Sequence, residues 1–215
     1  MFVNLTGGIA SGKNFVAEIF AQKGAVVLDV DKEVHKLLEL DKSVIIQIRN
    51  FFLESFVEGK IDRKILGKIV FSDSEKLKIL EKILHPKVRE KYQEFLDEVQ
   101  KSKKKIAVLN IPLLLESKSY KCDKIVAVVA SPSIQKKRFL ARARKNNPKN
   151  FALEKKNLEK KFEQIRAKQI SNLERKASAD FVVNTNFSKK SVRQQVVQII
   201  KFYDKKSSKS FGDNR

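Results

Sequence analysis

The chain is poor in cysteine, in long apolar runs and in acid. Its 215 residues include a single cysteine, Cys122. That rules out an internal disulfide and agrees with a reducing compartment. No apolar run approaches the roughly 18 residues of a membrane-crossing helix, so no membrane partner is expected. The first residues, Phe2-Val3-Asn4-Leu5, lead directly into glycines. They lack the positive start and longer apolar stretch of a signal peptide, and the expected location is the cytoplasm. Acidic residues number 25 against 46 Lys and Arg, a formal net charge of +21. Such a chain attracts polyanions. Three readings follow: nucleic acid, a phosphorylated small substrate, or a solvated lysine-rich surface. Lys, Ile, Asn and Phe are abundant along the whole chain rather than in one stripe. The solvated surface is therefore the reading for most lysines, and nucleic acid is not the expected partner.

What is present is globular: 42% hydrophobic and 33% charged. Apolar runs at 2–5, 25–28, 106–109, 125–129 and 181–183 read as five buried strands. Between them lie helical stretches: Lys13 to about Lys23, most of 32–100, 133–176 and 189–203. Val88, Tyr92, Phe95, Leu96 and Val99 form one clear helical stripe. The tail from 204 to 215 has no apolar pattern and is expected to be disordered. Continuous apolar strands alternating with helices predict an α/β fold with a five-stranded parallel sheet covered on both faces. Ligands of such sheets bind at the carboxyl ends of the strands.

The first strand ends in "NLTGGIASGKNFV", residues 4–16, where Gly7-x4-Gly12-Lys13 fits a phosphate-binding loop. Glycines let successive backbone N–H groups turn inward around phosphate oxygens, and the following helix start adds its positive dipole end. Lys13 is placed to reach the β- and γ-phosphates. The next position departs from the pattern. Asn14 stands where a Ser or Thr hydroxyl normally ligates Mg²⁺. Its side-chain carbonyl is also a hard oxygen, so it is a candidate ligand, direct or through one water. Asp29 and Asp31 follow the second strand one residue apart, on the same side if the strand continues. A carboxylate there can accept a hydroxyl proton or hold metal-bound water, while the bland role for Asp31 is to cap the helix behind it. Asp31 is the preferred functional residue. Arg138, Arg142 and Arg144 follow the fourth strand, where arginine forks can stabilise charge on a transferred phosphoryl group.

Several ordered segments spanning nearly the whole chain resemble the dephospho-CoA kinase family. They are "LTGGIASGKN", "VVLDVDKEVHKLL", "GKIDRKILGKIVFSD", "LEKILHPKVR", "IPLLLE", "QKKRFLAR" and "ADFVVN". The Asp-Arg and His-Pro segments are far more specific than the phosphate loop alone. The resemblance implies a P-loop NTPase-type three-layer fold, with a helical acceptor-binding insert and a helical lid. It implies transfer of the ATP γ-phosphate to the ribose 3′-hydroxyl of dephospho-CoA, with Mg²⁺ accompanying ATP. By position, Gly8, Ala10, Ser11, Gly12, Lys13, Asn14 and Phe15 would wrap ATP, joined by Arg138 and Arg142. Lys13, Asp31 and Arg142 would be catalytic. Asp31 would be the base, or orient the 3′-hydroxyl, and would touch the metal through a water. Thr6, Asp31, Arg63, His85 and Arg89 would serve the acceptor. His85 also has a plain role, hydrogen bonding at the head of a helix starting near Pro86.

On this reading 1–203 is one kinase domain, with core segments 1–31, 105–140 and 177–203, an insert 32–104 and a basic lid 141–176. The lid carries many lysines and few apolar anchors. The expected assembly is a monomer. Departures from the family are Asn14, Phe15, His35, Ala143, Asn184 and an added run within 145–161. They motivate the alternative of a catalytically impaired P-loop protein that binds nucleic acid through its basic surface.

Overall fold

The structure, a computed structural model, describes residues 1–102, 106–111 and 123–209, with side chains up to Tyr203 in the last segment. The expected segment Pro112–Glu116 and Cys122 lie outside the described residues. In chain order the elements are β1 (Phe2–Gly7), α1 (Lys13–Gln22), β2 (Val26–Asp29), α2 (Val30–Leu40), α3 (Lys42–Phe51), β3 (Phe56–Val57), β4 (Lys60–Ile61), α4 (Arg63–Ser72) and α5 (Ser74–Lys101). There follow β5 (Ala107–Asn110), β6 (Lys124–Val129), α6 (Pro132–Asn146), α7 (Phe151–Ala167), α8 (Asn172–Ala177), β7 (Phe181–Asn184) and α9 (Lys189–Lys209). The chain divides into two compact units, Met1–Val27 with Lys104–Arg215, and Leu28–Lys103.

The expected five-stranded sheet is present, in the order β2-β5-β1-β6-β7. β1 pairs in parallel with β5 and β6, and β6 with β7. Val3, Leu5, Val108, Val126, Val128 and Val183 are all fully buried. That is why these strands read as unbroken apolar runs: a parallel sheet with both faces covered offers no solvated side to alternate with. Part of the cover is α1, whose Val16, Ile19 and Phe20 meet Val192, Val196 and Ile199 of α9 in one core. Burying a side chain of this size contributes about 1.5–3 kcal/mol. α9 was expected to end at 203 but runs to Lys209. The segment lacks an apolar pattern, yet extending a nucleated helix needs only one more bond per residue.

The second unit is helical, and aspartates start its helices. Asp29, Asp41, Asp62 and Asp73 are the N-caps of α2, α3, α4 and α5, each accepting backbone N–H bonds. Such caps contribute about 1 kcal/mol each. The sequence reading missed the β3–β4 hairpin, where Phe56 pairs with Ile61 and Val57 with Lys60. Its two-residue turn has Glu58 at φ 50° and Gly59 at φ 77°, the left-handed pair that such hairpins need. Pro86 also departs from expectation. It does not start a helix but lies inside the 28-residue α5. Both Pro86 and Lys82, whose carbonyl loses its ladder partner, are exposed, so water can satisfy that group.

Candidate active site

β1 delivers the chain to the phosphate loop and α1 leads it away. Gly12 caps α1 at φ 95°, a conformation that favours glycine, and Ala10 at φ 53° shares the left-handed region. The first helical bond of α1 runs from Val16 N to Gly12 O at 3.2 Å. The amides of Asn14 and Phe15 are therefore not used within the helix, and they stand at its positive end, the arrangement that binds anions. Lys13 Nζ donates to the Ile111 carbonyl at 2.5 Å, at the carboxyl end of β5. The Phe15 ring packs on the core, with Lys189 at 5.8 Å and Arg193 at 5.7 Å from its centroid. What Phe15 has left for a nucleotide is its backbone.

The loop is fixed from behind by residues distant in sequence. Arg138 Nη1 donates to Ser11 O at 3.2 Å and to Thr185 Oγ1 at 2.8 Å, and its Nη2 donates to Thr185 O at 2.5 Å. Burial holds the guanidinium pKa below its usual value. Thr185 Oγ1 donates to Ser11 O at 2.5 Å. Ile9 N donates to Gln169 Oε1 at 2.8 Å. A Cβ on Gly8 would come within 3.0 Å of Gln135 Nε2 and 3.2 Å of Gln169 Oε1, so these amides close down on the bare backbone there. Arg138 was expected on ATP. Its hydrogen bonds to Ser11 and Thr185 also make it a strut between the loop and the end of β7. Thr185, Gln169 and Gln135 were not singled out from sequence. The signal for Gln135 lay in the Gln-x-x-Arg segment, of which only the arginines were read.

The other residues assigned from sequence fall as follows. Thr6 is buried, and the Arg175 guanidinium of α8 donates to its hydroxyl. Arg142 is exposed on α6, one turn after Arg138. In the second unit, β2 ends at Asp29, so the Asp pair does not continue as a strand. Asp29, not Asp31, caps α2, accepting from Lys32 N at 3.2 Å. Asp31 sits half-buried in the first turn. Arg63 opens α4 behind its Asp62 cap and is exposed. His85 and Arg89 lie one helical turn apart on α5, both exposed.

The segment read as a lid has more apolar anchorage than its composition suggested. Phe162 of α7 is fully buried, and its ring lies 5.6 Å from that of Phe139 on α6. Lys136 adds ion pairs at 3.8 Å to Glu159 and 3.9 Å to Glu163. α6 and α7 therefore form a packed helical hairpin, the added run supplying the turn and most of α7, and Gln169 just past its far end touches the loop.

Magnesium was expected with the nucleotide. Asn14 Oδ1 accepts from Asn110 Nδ2 at 3.3 Å. A carbonyl oxygen keeps a second lone pair, so Asn14 fits as one neutral ligand of a cation that arrives on phosphates. Among the described residues no group of three or more His, Cys, Asp or Glu is placed to hold a metal by itself. No described helix is long and apolar enough to cross a membrane.

A parallel sheet whose central strand feeds a glycine loop, a lysine at a helix start and a buttress of arginine defines a P-loop phosphotransferase. Comparison with known proteins narrows the class. The family described as dephospho-CoA kinase matches residues 1–191. The chain is 41% identical over 199 residues to the dephospho-CoA kinase of Bartonella quintana, covering 92% of this chain and 95% of that one. It is 38% identical to that of Wolbachia pipientis wMel, covering 93% and 96%. The dephospho-CoA kinase of Campylobacter jejuni superposes with a TM-score of 0.56 at 28% identity, over 93% of this chain and 95% of that one. A crystal structure from Thermus thermophilus does so at 0.75 and 25% identity, over 94% and 97%. The chain belongs to the dephospho-CoA kinase family. The nucleic-acid-binding alternative finds no support in these likenesses.

Proposed function

We propose that the protein transfers the γ-phosphate of ATP to the ribose 3′-hydroxyl of dephospho-CoA, the last step of coenzyme A biosynthesis. The family match over residues 1–191, with the loop of Lys13 intact inside it, carries the reading. In the step, the O3′–P bond forms as the bond from the γ-phosphorus to its bridging oxygen breaks, ADP leaves, and the hydroxyl proton goes to Asp31. The loop amides and Lys13 hold the phosphates, with Gly8, Ala10, Ser11 and Gly12 supplying the turn. Lys13 would exchange its bond to the Ile111 carbonyl for phosphate oxygen. Arg142, exposed one turn beyond the Arg138 strut, is free of the loop's support and serves the transferred group. Arg63, His85, Arg89 and Thr6 are assigned to the acceptor, whose pyrophosphate suits arginine forks. Magnesium, when bound, offsets charge on the β- and γ-oxygens, and Asn14, with Asp31 through a water, is the residue assigned to it.

The core is 1–31, 105–140 and 177–203, with 32–104 the acceptor-binding insert and 141–176 a lid over ATP. The enzyme acts as a cytoplasmic monomer. The test is a phosphate-transfer assay with ATP and Mg²⁺, offering dephospho-CoA, adenosine, AMP and shikimate as acceptors. A 3′-phosphorylated product from dephospho-CoA alone is expected. Normal ATP binding with no product, under Mg²⁺ or Mn²⁺, refutes the reading.

A further inference from the structure

We infer that Asn14 and Asn110 work as one carboxamide pair that makes cation binding at the phosphate loop conditional on nucleotide. The inference rests on the phosphotransferase reading but not on the identity of the acceptor. P-loop phosphotransferases commonly hold their cation with a hydroxyl at the end of the loop and a strand-borne carboxylate. In this chain one of the two strands beside β1 is β5, paired in parallel with Leu5 opposite Asn110. Asn110 is its last residue and is fully buried. Its Nδ2 reaches the Asn14 side chain at 3.3 Å. Its Oδ1 is also buried and accepts no hydrogen bond among the described residues. Buried polar atoms are nearly always paired in folded proteins, so an unpaired acceptor at the carboxyl end of a strand marks a place for an incoming partner.

Both positions are therefore oxygens without charge. The formal charge that the described loop brings to this point is that of Lys13, whose Nζ is bonded at the neighbouring Ile111 carbonyl. Within this unit a divalent cation alone meets one positive charge and two neutral dipoles, and the Asp31 carboxylate assigned to it acts only through a water. The same cation on ATP brings its own anionic ligands, and two carboxamide oxygens then complete a hydrated octahedron. Asn110 is thus a positioning residue: it fixes the Asn14 amide and supplies a second oxygen beside it. The two departures make sense together. An Asn14 amide needs a donor to hold it still, and a carboxylate at 110 could not donate.

The test is Mn²⁺ binding followed by electron paramagnetic resonance, with and without the β,γ-imido analogue of ATP and with no acceptor present. The proteins are the parent, Asn14→Ala, Asn110→Ala, the double Ala variant and Asn110→Asp. The parent should bind Mn²⁺ at least about tenfold more tightly with the analogue than without it. Each Ala variant should weaken Mn²⁺ binding in the analogue complex by about fivefold, and the double variant should lose more than either single one but less than the product of the two losses. Asn110→Asp should gain about tenfold in Mn²⁺ affinity without nucleotide. Asn14 is exposed, so Asn14→Ala tests the pair even where a change at buried Asn110 impairs folding. Equal Mn²⁺ binding by the parent with and without the analogue overturns the inference. So does an Asn14→Ala protein that binds the analogue and Mn²⁺ as the parent does. Failure to phosphorylate dephospho-CoA, with these Mn²⁺ results in hand, would remove the acceptor assignment and leave the pair standing.

Discussion

Thr185→Val should loosen the phosphate loop from behind without touching nucleotide. Thr185 is 2% exposed. Its hydroxyl donates to Ser11 O at 2.5 Å and accepts from Arg138 Nη1 at 2.8 Å. Valine keeps the shape and removes both bonds. A buried neutral hydrogen bond contributes about 0.5–1.5 kcal/mol and one to a charged group about 1.5–3. The sum is an upper bound, because Arg138 Nη1 still reaches Ser11 O at 3.2 Å and its Nη2 still reaches the Thr185 carbonyl. A net loss of about 2 kcal/mol remains, which for a chain of this size lowers Tm by about 4–8 °C. Ser11 carries the chain into Gly12, so loop geometry should suffer with stability, and ATP affinity should fall about three- to tenfold. Thr185→Ser, which keeps the hydroxyl, is the control and should bind ATP like the parent. The assays are thermal unfolding and a titration of ATP binding. A valine variant that melts within about 1 °C of the parent and binds ATP equally well would show that the Thr185–Ser11–Arg138 contacts do not hold the loop.

Asp31→Asn should slow phosphate transfer by roughly 10²-fold with little change in ATP affinity, as expected for a positioned proton acceptor. Asp29→Asn should be nearly silent, because Asn caps a helix about as well as Asp; a larger kinetic loss at 29 than at 31 reverses the assignment. Phe162→Ala removes a fully buried ring that meets Phe139. About 3–5 kcal/mol of local stability should go, and hydrogen exchange should quicken in α7 while β1 stays protected; unchanged exchange in α7 would mean that the hairpin is not pinned by this pair. Asp180 is held below the usual carboxylate range first by the Lys124 ammonium, which donates at 2.5 Å, and then by the Ile125 amide. A depressed folded-state pKa gives stability that is full above the unfolded value near about 3.9 and is lost as pH falls through the folded value. Asp180→Asn should therefore be less stable than the parent at neutral pH and converge on it in acid; equal stability at pH 7 contradicts the pairing.

What the sequence disclosed follows from how local each feature is. The buried strands were legible because Val3, Leu5, Val126 and Val128 need no partner information to read as apolar on both faces. The loop was legible because Gly7 to Asn14 is contiguous. β3 and β4 were not, since two residues cannot show alternation, and only the Glu58-Gly59 turn could have flagged them. Pro86 misled because proline usually opens a helix, and only its exposure on α5 shows why the ladder tolerates it. Thr185, Gln169 and Asn110 reach the loop across 174, 160 and 96 residues of chain. A single sequence gives no pairing at that range. Asn110 alone left a trace, as a polar residue closing an apolar strand at the end where ligands bind.

The net charge of +21 can now be apportioned. In the second unit the aspartates at 29, 41, 62 and 73 are committed to helix caps, and glutamates pair with lysines a turn away. Lys36 meets Glu33 at 2.8 Å, Lys78 meets Glu75 at 2.8 Å and Lys91 meets Glu94 at 2.8 Å. Pairs on an exposed helix contribute only about 0.3–0.5 kcal/mol each, so they account for little of the unit's stability. Arg63, His85 and Arg89, like Lys42, Arg49 and Lys60, have no acidic partner among the described residues. An exposed arginine fork that the protein leaves unpaired keeps its donors for a phosphate, where a paired lysine would have to give up its glutamate first. The surplus charge is thus mostly solvated lysine, and it is the family resemblance, not a lack of partners, that singles out Arg63, His85 and Arg89 among the unpaired cations.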